Sequence, residues 1–130
     1  MKLKRFLFAI LLSLTAYSVY GQTKVTFNVD LRPLIKQNKF NLATDQIQIS
    51  GSFRPLSTSS WTRMLDRAPR DSVYSVTLNF PRRLNGQELL FNYRLYTEED
   101  GIMREDLPRY LKLTGSELKL DALYFNHYVN

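Results

Sequence analysis

The chain has 130 residues, 44% hydrophobic and 13% aromatic, with eight Tyr and eight Phe; that is enough for one small packed domain and unlike a disordered tail. Its formal net charge is +6, but Lys2, Lys4 and Arg5 lie in an N-terminal leader, so residues 22–130 carry 15 basic against 12 acidic side chains, or +3. With no cysteine and one histidine, a disulfide framework, a thiolate nucleophile, Cys-ligated metals and centres built from several imidazoles are excluded.

Met1 to Arg5 is a short basic segment, Phe6 to Leu14 an apolar run broken only by Ser13, and Val19-Tyr20-Gly21 a cleavage-type end before Gln22. Residues 1–21 therefore read as a secretory signal peptide and 22–130 as one exported domain, secreted or periplasmic. The run is shorter than the roughly 20 apolar residues a membrane helix needs, and no second one follows, so no span is expected after the signal is removed. With no cysteine after the leader, lipidation is excluded as well.

Lys24 to Leu31 alternates, with Val25, Phe27 and Val29 on one face and Thr26, Asn28 and Asp30 on the other, which predicts a half-buried strand. Arg32 to Lys39, with Pro33 and weak periodicity, reads as a loop holding one helical turn at Leu34 to Gln37. Gln46 to Phe53 alternates again with Ile47 and Ile49 inward, and Gly51 permits a bend or a close backbone approach. A Pro- and Ser-rich loop, Arg54 to Ser60, leads to a short strand over Trp61 to Leu65.

Ser72 to Phe80 predicts a longer strand whose core face is Tyr74, Val76, Leu78 and Phe80. After a charged turn at Pro81 to Gly86, Glu88 to Thr97 alternates through Leu89, Phe91, Tyr93 and Leu95. It then enters the tight turn Glu98-Glu99-Asp100-Gly101, a hairpin signal. Ile102 to Glu105, Arg109 to Leu113 and Ala122 to Tyr128 supply further short extended pieces. Roughly seven to eight short strands with regular turn signals predict an all-β fold, an immunoglobulin-like antiparallel β-sandwich.

The order VTFNVDL, DQIQISGSF, a Ser-rich loop with a Trp, DSVYSVTLNF, ELLFNYRLY and YFN resembles the starch-binding-type sandwich of exported bacterial proteins, the carbohydrate-binding module family 20 and 48 group. The resemblance runs from Val25 to Asn126 through short, degenerate motifs. In that group a Gly-Ser-Phe-type bend leads into a loop with a sugar-stacking Trp, and a Tyr-Lys-Phe-type strand lines the same end. Gly51-Ser52-Phe53 and Tyr93-Arg94-Leu95 stand in those places here. The sequence departs from the pattern at Leu56, where a Trp is usual, and at Ile102 to Glu105, which lacks the second stacking Trp.

The resemblance implies a non-catalytic module for a glucan-like polysaccharide, with no cofactor and no metal. Candidate ligand-binding residues are Trp61, Arg63, Tyr93 and Tyr96. Trp61 is either a platform for a pyranose face or a plug at the edge of the core. Tyr93 and Tyr96, an odd number of residues apart on one strand, face opposite ways, so one is core and Tyr96 is expected to present its phenol outward. The arginines at 54, 63, 67, 70, 82 and 83 bias the mid-chain loops toward acidic partners or simply form a solvated surface.

No nucleic-acid motif is present. The acidic tip at 98–100 reads as a solvated turn, since consecutive side chains point apart and make neither a calcium site nor a catalytic acid pair. Asp45, Asp66 and Asp71 read as turn residues bonding nearby amides. His127 has no triad partners and no Gly-x-Ser-x-Gly elbow exists, so no enzyme activity is expected. The rival reading is an accessory domain that has lost sugar binding and recognises an exported protein partner.

Overall fold

The computed structural model describes residues 21–128. The leader reading, apart from Gly21, lies outside them. Nine strands form two sheets. The first contains β1 (Thr23–Asp30), β4 (Val73–Phe80), β8 (Glu117–Lys119) and β9 (Leu123–Tyr124). The second contains β2 (Gln46–Gly51), β3 (Thr62–Arg63), β5 (Glu88–Thr97), β6 (Gly101–Arg104) and β7 (Arg109–Lys112).

The alternation in β1, β2, β4 and β5 sends one side of each strand into the space between the sheets. Val25, Phe27 and Val29 of β1 meet Ile47 and Ile49 of β2 and Leu89, Phe91 and Leu95 of β5, all of them buried. The ring of Phe27 contacts that of Phe91 edge-on across the sheets at 5.1 Å and that of Phe80 at 6.3 Å. Each such side chain contributes about 1.5–3 kcal/mol of burial. The domain is a β-sandwich, with Tyr74 and Phe80 on the core side of β4 as its periodicity predicts.

Three details differ from the sequence expectation. The first sheet is mixed: β1 runs antiparallel to β4, pairing Thr23 with Phe80, but parallel to β8 and β9, pairing Lys24 with Glu117 and Val29 with Leu123. The ninth strand, β8, carries a single apolar residue, Leu118, and so lacks a legible period. The helical turn is α1 (Arg32–Lys36), placed earlier because Pro33 suits a helix's first turn, where its missing N–H costs nothing.

β5 organises the second sheet. One edge pairs with β2, while β7 covers the first half of the other edge and β6 the second half. Gly51 ends β2 where a Cβ would lie 2.7 Å from Leu56 Cδ1 and 3.2 Å from the Leu90 carbonyl oxygen, so only glycine fits without displacement. Leu56 is 2% exposed and fills the core at this point.

Candidate functional site

The residues that alternate away from the core on the second sheet share one solvent-facing surface. β5 presents Leu90, Asn92, Arg94 and Tyr96, and β2 presents Gln46 and Gln48. The register stacks them in rows. Gln46, Tyr96 and Ile102 form one row, and Leu90 with Tyr110 another. Between these rows Arg63, Gln48, Arg94 and Arg104 run side by side across β3, β2, β5 and β6.

Trp61 precedes β3 and is half-buried, outside the core cluster. The Arg94 guanidinium carbon sits 4.3 Å from its ring centroid and that of Arg104 at 5.6 Å, both within cation–π range. Arg94 Nε donates to Gln48 Oε1 at 2.7 Å, and Gln48 Nε2 donates to Gln46 Oε1 at 3.1 Å. The indole, the guanidinium and two amides are thus held in a continuous chain. Burial lowers the Arg94 pKa from its ordinary value, and the like charge of Arg104 lowers it further, while Tyr96 acts the other way.

Beside this chain Tyr96 is 49% exposed, Ile102 51% and Tyr110 62%. The arrangement offers aromatic faces, amide donors and acceptors and fixed cations on an open sheet. Such a surface can stack against flat apolar faces and hydrogen-bond a polar rim.

The structure brings together three of the four residues singled out from sequence, Trp61, Arg63 and Tyr96. Tyr93 is not with them. It faces the core at 2% exposure, edge-on to Phe91 at 5.6 Å and under the Arg109 guanidinium at 5.2 Å, and burial pushes its hydroxyl pKa well above the usual tyrosine range. Arg94, Arg104, Gln48 and Tyr110 were not singled out. Arg104 is set against Arg94 by the hairpin register, which depends on the length of the loop between them.

The remaining candidates are structural. Glu98, Glu99 and Asp100 are exposed at the β5–β6 tip, where Thr97 Oγ1 accepts from the Asp100 N–H at 3.0 Å and donates to the Gly101 carbonyl at 3.1 Å. Asp45 accepts from the N–H groups of Asn41 and Glu98, Asp66 from Ser72 and Asp71 from Val73. His127 is exposed against the Tyr124 ring. Among the described residues no cluster of three or more His, Cys, Asp or Glu is placed to hold a metal, and no helix is long and apolar enough to cross a membrane.

No protein-family model matches the sequence, and no curated protein is significantly similar to it.

Proposed function

We propose that the protein is a non-catalytic polysaccharide-binding module, exported by its leader, that takes its ligand on the outer face of the second sheet. The observation that carries this reading is the half-buried Trp61, braced by Arg94, on the same surface as exposed Tyr96 and Tyr110 and the amides of Gln46 and Gln48. Pyranose rings present an apolar C–H face and a hydroxyl rim, which need an aromatic plane flanked by donors and acceptors. The resemblance to starch-binding sandwiches favours a glucan-like backbone.

The test is native affinity electrophoresis of the purified protein in gels containing amylose, glycogen, β-glucan, an acidic polysaccharide or none, beside Trp61→Ala and Tyr96→Ala. Retardation in a polysaccharide gel, reduced in variants whose circular dichroism is unchanged, is the expected result. Migration unaffected by every polysaccharide overturns the reading in favour of a protein partner. That second reading draws on exposed Ile102, opposed to Tyr96, an aliphatic side chain that stacking on a sugar ring does not use.

A further inference from the structure

Resting on that polysaccharide reading, we infer that the ligand is an acidic glycan whose carboxylate or sulfate groups are taken by the row Arg63, Arg94 and Arg104.

Neighbouring strands lie about 4.8 Å apart, so directly opposed side chains on one face are close neighbours. Arg94 and Arg104 are such a pair, and Arg63 stands on the far side of Gln48 in the same row. Like charges opposite one another oppose sheet pairing unless something between them neutralises the charge. The Trp61 ring lies within cation–π range of both Arg94 and Arg104, but among the described residues no carboxylate pairs with either. The ion pairs among the described residues are Asp30 with Arg32, Glu105 with Arg109 and Glu117 with Lys119, all outside this row. The only carboxylate on an outward strand position of the second sheet is Glu88, at the opposite end of β5 and facing Lys112.

The central cation is also preorganised. Gln48 holds Arg94 Nε and the Trp61 ring supports its plane, while neither terminal nitrogen donates a hydrogen bond among the described residues. A guanidinium fixed by its back edge offers its remaining N–H groups as a fork, the geometry that carboxylates and sulfates accept in pairs. The row crosses the strands, so an extended polyanion lying along it meets a cation at three of its four steps, with the Gln48 amide between Arg63 and Arg94. Trp61 at one flank and Tyr96 at the other supply planes for its sugar rings, which an acidic peptide would leave unused.

Trp61 is the only tryptophan of the chain, so its fluorescence reads this site directly. The purified protein is titrated at low and at physiological salt with polygalacturonate (carboxylates), dextran sulfate (sulfates), neutral dextran, amylose, poly-L-glutamate and duplex DNA. An acidic glycan is expected to bind about tenfold or more tighter than its neutral counterpart and to weaken with salt. Arg94→Gln with Arg104→Gln should remove that margin and its salt dependence, lowering acidic-glycan binding by a larger factor than neutral-glycan binding. Arg104→Gln alone, at an exposed position, keeps the test decisive should the double variant unfold.

The comparison of polygalacturonate with dextran sulfate identifies the acid. Equal affinity for neutral glucan, or indifference of acidic-glycan binding to the arginine variants, overturns the inference and leaves the polysaccharide reading standing. Binding of poly-L-glutamate or DNA as tight as that of the glycans, and unchanged in Trp61→Ala followed by gel retardation, overturns both. So does failure of every polymer to bind.

Discussion

Glu105 and Arg109 close a buried ion pair at the corner between β6 and β7. Arg109 Nε donates to Glu105 Oε1 at 2.8 Å and Nη2 donates to Oε2 at 2.6 Å, with the two side chains 0% and 10% exposed for Glu105 and Arg109 respectively. The same carboxylate accepts the Asn126 N–H at 2.8 Å, and the same guanidinium donates to the His127 carbonyl at 2.9 Å. The pair therefore fastens the C-terminal segment to the second sheet. Glu105→Gln, which strands a buried cation, is expected to cost about 3–5 kcal/mol in chemical denaturation, whereas Glu105→Leu with Arg109→Met should recover most of it. A single variant as stable as the parent would show that the corner does not depend on the charge.

Asp45 and Asp30 are expected to contribute to the acid limit of stability. Burial raises the Asp45 pKa, but hydrogen bonds from the Asn41 and Glu98 N–H groups and the Thr44 hydroxyl outweigh burial and hold it below the ordinary value of 3.8. A group whose folded pKa is depressed contributes stability above its unfolded pKa and loses it as pH falls through the folded one. Asp30 acts in the same direction: burial raises its pKa, and the hydrogen bonds and charge of Arg32 more than reverse that. Stability should be level above about pH 5 and decline below it. Asp45→Asn should lower the plateau by about 1–3 kcal/mol and flatten the decline, as read by urea midpoints across pH.

Gly51 has no room for a side chain. In Gly51→Ala the new methyl meets Leu56 Cδ1, which can yield, and the Leu90 carbonyl, which belongs to the β5 ladder and cannot yield cheaply. A loss of about 1–3 kcal/mol is expected, the usual size of overpacking in a close-packed interior. Combining it with Leu56→Val should return part of that loss in the same thermal melt. No recovery would place the strain on the backbone alone.

Replacing one member of the Arg94 and Arg104 pair tests whether the face trades stability for charge. Arg104→Glu puts an acid opposite Arg94 on adjacent strands, an arrangement worth about 0.2–1 kcal/mol in favour of folding. The variant is expected to melt higher than the parent and to lose retention on acidic polysaccharide. A lower melting temperature would show that the two arginines do not repel as their register requires.

Which residues face inward was legible because a period of two reports it directly. Tyr93 shares parity with Leu89, Phe91 and Leu95, so its burial follows from the strand pattern; its place among ligand residues came from family resemblance. The charge row was not legible, because it depends on a loop length. Thr97 pairs with Gly101, whose φ of 74° lets the chain reverse over Glu98, Glu99 and Asp100 alone. A connection one residue longer would face Arg94 with Glu105, an attractive pair, and turn every later side chain of β6 to the other side. β8 escaped notice for a related reason. Parallel partners have no hairpin between them to announce the pairing.

The mixed sheet also dictates when the domain can form. β1, first in the chain among the described strands, is bordered on one side by residues 73–80 and on the other by residues 117–124. As the polypeptide emerges from the ribosome, Val25, Phe27 and Val29 have no lasting shelter until residues 117–124 have been made. Closure of such distant pairings is slow and leaves apolar strand faces open in the meantime. Until those last strands pair, the apolar faces of the earlier ones stay open to a chaperone, which can hold the chain before the sandwich shuts.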